Sequence, residues 1–266
     1  MPRRIESLFI DGPVGRLEAL LEEPEYDEPE YDEPEAGAPR MAALICHPHP
    51  QYGGTMHNKV VYRMARGLRH IGAAVLRFNY RGVNLSEGVY DNSYGETDDA
   101  RAALAFLRAR YPSLPFLVAG FSFGSRIVLR IGCEAPRPFA VVSVGSPASY
   151  WDQEERTGRG GVLPEDAKPE AGRGRPARFR GTFGRCDVPR IFIQSTHDQY
   201  GPRETMQTYF DSLEGPKKIV WIEARNHFFS DGLDAFEKAL IEVVEAQFAM
   251  KAPGAPLANQ AGHTLE

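Results

Sequence analysis

Residues 116–131 read Phe-Leu-Val-Ala-Gly-Phe-Ser-Phe-Gly-Ser-Arg-Ile-Val-Leu-Arg-Ile. Phe116–Ala119 is a short apolar run of strand type, and Arg126–Ile131 lies in the helix after it. Between them stands Gly120-Phe121-Ser122-Phe123-Gly124, a G-x-S-x-G pattern with a strand before it and a helix after it. A turn this sharp holds its serine in strained backbone geometry, and side chains at the two glycine positions would clash. It lifts the serine Oγ clear of the sheet and leaves the Phe123 N–H at a helix N-terminus, where an oxyanion can be bound. Ser122 is the candidate nucleophile and the Phe123 N–H the first candidate oxyanion donor.

The same alternation extends in both directions. Leu8–Ile10 and Arg16–Leu21 read as a hairpin around Asp11-Gly12-Pro13. Ala42–Cys46, Ala74–Asn79, Phe139–Val144, Arg190–Gln194 and Lys218–Ile222 read as further strands. Val60, Val61, Met64, Leu68 and Ile71 mark one face of a helix ending near Gly72, and Leu233, Phe236, Leu240, Val244 and Phe248 mark the last helix. Glu96, Asp98 and Asp99 fall in the first turn of another helix, where negative charge suits the dipole. Pro202 opens one more. Alternating βα units with continuous apolar strands predict an α/β fold, a mostly parallel sheet covered on both faces and led by an antiparallel hairpin. In such sheets ligands sit beyond the carboxyl ends of the strands, which is where the remaining candidates lie.

Arg190–Gln194 is followed by Ser195-Thr196-His197-Asp198, and Lys218–Ile222 by a loop holding Asn226-His227-Phe228-Phe229. A serine hydroxyl needs a base, and that base needs an orienting acid. His227 and Asp198 fill those roles, in the chain order Ser122, Asp198, His227. His197 does not follow the last strand and reads as structural. After Ala42–Cys46 comes His47-Pro48-His49-Pro50-Gln51-Tyr52-Gly53-Gly54. Pro48 and Pro50 have no N–H. The His49 N–H is therefore the candidate second oxyanion donor, with Gln51 and Tyr52 as fallbacks. Tyr52, Tyr80, Phe121 and Phe123 are candidates for lining the substrate pocket. Cys46, His47 and His49 lack a second ligand pair of finger-like spacing, so no metal site is expected.

The chain has 266 residues, 42% hydrophobic and 25% charged, with a formal net charge of −5. That composition fits a globular chain, and no run of about 18 apolar residues predicts a membrane span. Met1-Pro2-Arg3-Arg4 is not followed by the apolar region of a signal peptide. Charge is uneven. Glu22–Glu35 repeats Glu-Pro-Glu-Tyr-Asp, and without it 27 acids face 31 bases. Proline and like charge predict an extended acidic loop over 22–40. Residues 149–188 are rich in Arg and Gly and lack periodicity, which predicts a cap-like or disordered insertion. The expected organisation is one domain over 1–250 carrying these two segments, with a flexible tail at 251–266. Arginine without interleaved aromatics in an acidic chain argues against nucleic-acid binding. Three scattered cysteines, Cys46, Cys133 and Cys186, suggest no disulfide scaffold and a cytoplasmic location.

These motifs together resemble the α/β-hydrolase superfamily. Within it the chain is similar to small bacterial serine hydrolases that carry H-P-x-x-x-x-G-G-x-M-x-N-K-V, here His47 to Val60. Phe78-Asn79-Tyr80-Arg81-Gly82, the elbow around Ser122 and Asn226-His227-Phe228-Phe229 extend the likeness over about residues 5–148 and 188–249. The resemblance implies an eight-stranded sheet and an esterase-like activity on a small-molecule ester, with no cofactor. Histidine as base implies a kcat/KM that falls on the acid side, near the free imidazole pKa of about 6.5. A peptidase or lactone hydrolase on the same residues is the alternative, followed by a non-catalytic interaction protein on this scaffold. The oligomeric state is left open.

Overall fold

A computed structural model describes residues 5–24, 38–150 and 186–251. The hairpin comprises β1 (Ile5–Gly12) and β2 (Gly15–Glu22). Then come β3 (Met41–Cys46), α1 (Lys59–His70), β4 (Ala73–Phe78), α2 (Tyr94–Arg110), β5 (Phe116–Phe121) and α3 (Phe123–Ile131). The chain continues with β6 (Ala140–Val144), β7 (Arg190–Ser195), α4 (Arg203–Ser212), β8 (Lys217–Ile222) and α5 (Leu233–Lys251). The strands form one eight-stranded sheet in the order β1-β2-β4-β3-β5-β6-β7-β8. β2 pairs antiparallel with β1 and β4, and every pair from β4 through β8 is parallel.

Burial explains this topology. Every residue of β3, β4, β5, β6 and β7 is buried, as a sheet covered on both faces requires. Neighbours in a strand point to opposite faces. Leu44 packs with Ile127 and Val128 of α3 and Met206 of α4, whereas Ala43 and Ile45 pack with Val60, Met64 and Leu68 of α1 and Phe236, Leu240 and Val244 of α5. The apolar stripes of the first and last helices thus close one face, and α2, α3 and α4 close the other. Among the described residues no helix is long and apolar enough to cross a membrane.

The start of the acidic run is not a loop. Glu22 is the last residue of β2 and has no exposed surface. Its carboxylate accepts from Arg77 Nε at 2.6 Å and lies 3.2 Å from Arg69 Nε. Arg77 in turn donates to the Met56 carbonyl at 2.7 Å, which ties this ion cluster to the loop before α1. Tyr111 donates to Glu23 at 3.0 Å. A charge run reads as solvated only while its partners, 47 and 55 residues away in the case of Arg69 and Arg77, go unseen. Residues 25–37, 151–185 and 252–266 lie outside the described residues, and with them most of the predicted acidic loop, cap-like insertion and tail.

The cysteines correct a second expectation. Cys133, just beyond α3, is disulfide-bonded to Cys186, just before β7, with Cα atoms 5.7 Å apart. Cys46 is the free cysteine. A sequence separation of 53 hides two positions that the crossover from β6 to β7 brings side by side. The expectation of a cytoplasmic location loses its basis, because such bonds persist in oxidising compartments. Closing a loop of this length restricts the unfolded chain, so reduction or the double change Cys133→Ser, Cys186→Ser is expected to remove about 2–4 kcal/mol of stability. Denaturant melts with and without reductant check this, and coincident curves would contradict it.

Candidate active site

The turn between β5 and α3 has the strained form its sequence requires. Ser122 sits at φ 55° and ψ −116°, a conformation that costs a non-glycine residue about 1–3 kcal/mol. Its N–H donates to Val144 O at 2.9 Å, which anchors the turn to the end of β6. The flanking glycines are needed for close approach. A Cβ on Gly120 would strike the Gly124 carbonyl, and one on Gly124 would strike the carbonyl of Cys46 and come within 2.7 Å of that of His47. The loop after β3 therefore lies directly against the first turn of α3.

Asp198 and His227 project from the loops after β7 and β8, and both are almost fully buried. His227 Nδ1–H donates to Asp198 Oδ2 at 2.7 Å, which leaves Nε2 as the ring's lone-pair nitrogen. The other carboxylate oxygen, Oδ1, accepts from the N–H groups of Tyr200 at 2.8 Å and Gly201 at 3.1 Å. The imidazole is held by the rings of Phe121, Tyr200 and Phe228, with centroids 4.9, 4.8 and 5.3 Å away. Gly145, at φ 55°, has no room for a side chain, since a Cβ would lie 2.7 Å from the Phe121 ring and 3.2 Å from His227 Cε1. Ser122 and His227 thus converge on one dipeptide, Val144-Gly145, at the carboxyl end of β6.

The loop after β3 turns back at once. A short 3-10 turn, Pro50–Tyr52, starts from His49. The His49 carbonyl accepts from the N–H groups of Tyr52 at 3.2 Å and Gly54 at 3.0 Å. His49 Nδ1 accepts from the Gln51 N–H at 3.2 Å. Both fallback oxyanion donors, Gln51 and Tyr52, are thereby engaged within the turn. The His49 ring lies 4.9 Å from that of Phe123, so the loop and the N-terminus of α3 face each other.

The alpha/beta hydrolase fold model matches residues 44–163. Over 239 residues, 88% of this chain and 86% of the other, the sequence is 36% identical to the uncharacterized protein RP471 of Rickettsia prowazekii. It is 31% identical to XC6422 of Xanthomonas campestris, an a/b serine hydrolase without a lid, covering 92% of this chain and 96% of that one at a TM-score of 0.70. The chain belongs to the α/β serine hydrolases. A serine hydrolase homologue from Coxiella burnetii is 28% identical, covering 90% of this chain and 97% of that one, also at a TM-score of 0.70.

Within this hydrolase the remaining polar groups near Ser122 are locked rather than reactive. Burial pushes the His47 pKa down to about 3. Its Nδ1–H donates to Pro48 O at 2.6 Å, and its Nε2 accepts from the Tyr80 N–H at 3.1 Å, so it clamps the loop after β3 to the end of β4. Burial, helped by the Arg126 cation, pushes His49 down to about 4. Both histidines are therefore uncharged near neutrality, each ring keeping a single N–H. Burial pushes the Cys46 thiol up to about 12, which removes it as a nucleophile.

Two expected pocket residues sit elsewhere. Tyr80 and Phe121 have no exposed surface. Tyr80 packs beneath His47 and Phe123, with centroids 4.4 and 5.6 Å away, and Phe121 backs the His227 ring. They support the site from below instead of lining it. Tyr52 is 79% exposed and leans on the His49 ring at 4.7 Å. Sequence reasoning passes over Tyr90, whose hydroxyl lies 3.3 Å from His49 Nε2, and Gln194, which donates to Asp198 Oδ2 at 2.9 Å. The signal for Gln194 is an amide directly after the buried run Ile191-Phe192-Ile193. Tyr90 stands in a loop with no local signal.

Proposed function

We propose that the chain is a carboxylesterase that cleaves small acyl esters through Ser122, His227 and Asp198. His227 Nε2 takes the Ser122 proton as Oγ attacks the ester carbonyl, and Asp198 holds the imidazole tautomer and stabilises its cationic form. The N–H groups of Phe123 and His49 receive the oxyanion. His227 then protonates the leaving alcohol, and water repeats the cycle on the acyl-enzyme. The observation that carries this reading is the buried bond from His227 Nδ1 to Asp198 Oδ2, on a ring packed against the same β6 terminus that binds the Ser122 N–H. Engagement of the Gln51 and Tyr52 N–H groups favours His49 as the second donor. Tyr52, Tyr200 and Phe228 keep exposed rings on either side of these groups, which suits small acyl or flat aromatic substituents.

The test is a panel of short esters, lactones and aminoacyl amides assayed across pH. Short esters are expected to turn over fastest, with kcat/KM falling on the acid side as the imidazole base takes a proton. Burial holds His47 and His49 deprotonated near neutrality, so they supply no such limb. Faster amide or lactone turnover would move the substrate class, and a flat profile from pH 5 to 8 would remove the histidine base.

A further inference from the structure

Gln194 lies next to the end of β7 and has no exposed surface. Its amide is fully committed. Oε1 accepts from the Ser146 N–H at 2.8 Å. Nε2 lies 2.9 Å from Asp198 Oδ2, 3.2 Å from Ser146 O and 3.3 Å from Gly201 O. Oδ2 is also the oxygen that takes His227 Nδ1–H. The amide cannot be turned over, because its oxygen would then face three acceptors and its nitrogen would meet the Ser146 N–H. We infer that Gln194 is a positioning residue that fixes the Asp198 carboxylate toward His227 and ties it to the chain leaving β6. The inference rests on the reading of Ser122, His227 and Asp198 as a triad.

With Gln194 in place each carboxylate oxygen has two donors, Oδ1 from Tyr200 and Gly201, Oδ2 from His227 and Gln194. A carboxylate so held cannot rotate without breaking all four bonds, so its Oδ2 stays aimed at Nδ1. The anchor reaches across the sheet, because Ser146 bonds both ends of the Gln194 amide and comes directly after the Gly145 that packs on His227. The pair is faced by Phe121 from β5, Gly145 beyond β6, Gln194 from β7, Tyr200 from its own loop and Phe228 beyond β8. Among these neighbours the titratable side chain is Tyr200. Substitutions at Gln194 therefore change the donor to Asp198 without disturbing a charged neighbour in this set.

Two substitutions test the role. Gln194→Leu removes the donor at similar size and is expected to lower kcat by about 10- to 100-fold, with KM nearly unchanged. Gln194→Glu keeps the shape but donates to Asp198 only while protonated. Its activity relative to wild type is expected to be highest at acid pH and to decline as pH rises, when a second carboxylate would face Asp198. A purely structural role predicts variant-to-wild-type ratios that are flat in pH for both, and that result would overturn the inference. The downfield proton resonance of His227 Nδ1–H gives a readout that needs no turnover. It is expected to shift or broaden in folded Gln194→Leu and to move with pH in Gln194→Glu, and a resonance unchanged in both would also overturn the inference. Absence of turnover in the wild type would instead count against the triad reading, and the resonance would still decide the part played by Gln194.

Discussion

Ser122→Ala is expected to lower kcat for any ester substrate by about 10⁴–10⁶-fold while leaving the fold and KM nearly unchanged. The reason lies in what the substitution removes and what it leaves. Oγ is the only atom lost, and with it the acyl-enzyme. The backbone bond from residue 122 to Val144 O remains, and so does the approach of Gly124 to the loop after β3. The Phe123 N–H stays at the first position of α3, and the His49 loop stays clamped by His47 to the Tyr80 N–H. Residual rate above water would come from those donors and from binding. Steady-state kinetics with a thermal melt of the same sample checks this, and a loss of tenfold or less in folded protein would exclude Ser122 as nucleophile.

Asp198→Asn is expected to cost about 10⁴-fold in kcat, for a reason written in its hydrogen bonds. Both carboxylate oxygens accept from two donors each. Asparagine keeps one oxygen. With that oxygen on the Tyr200 and Gly201 N–H groups, the NH₂ faces His227 Nδ1 and forces the ring proton to Nε2, where the base is needed. With the amide reversed, its NH₂ points at two backbone N–H groups. Either arrangement leaves a buried donor unsatisfied, at about 1–3 kcal/mol of stability. Kinetics and unfolding of Asp198→Asn test both consequences, and activity within tenfold of wild type would show that Asp198 does not orient the base.

The parts of this molecule that are legible in the sequence are those whose cause is local. β3 and β5 are continuous apolar runs because they are buried on both faces. The elbow announces itself because two glycines must lie within reach of neighbouring carbonyls. Asp198 and His227 are legible because each stands in the loop just after a parallel strand, and the structure brings them within hydrogen-bond distance of one another. The hidden parts depend on contacts between distant segments. Gln194 reaches Ser146 because β6 and β7 are neighbours, with Val144 opposite Ile193. Glu22 belongs to a strand because Arg77 of β4 waits beside it. Cys133 and Cys186 meet only after the crossover from β6 to β7 is made. Phe121 adjoins Ser122 in sequence and Tyr80 stands just beyond the end of β4, yet both point into the protein core, Tyr80 toward the side covered by α2, α3 and α4 and Phe121 toward the side covered by α1 and α5.

The central claim is that Ser122 is an activated nucleophile. Covalent labelling with a fluorophosphonate probe, followed by peptide mapping of wild type and Ser122→Ala, tests it most directly. The predicted result is stoichiometric modification of the peptide carrying Gly120-Phe121-Ser122-Phe123-Gly124 and none in the variant. Folded wild-type protein that stays unlabelled, or that is labelled on a different residue, would contradict the account.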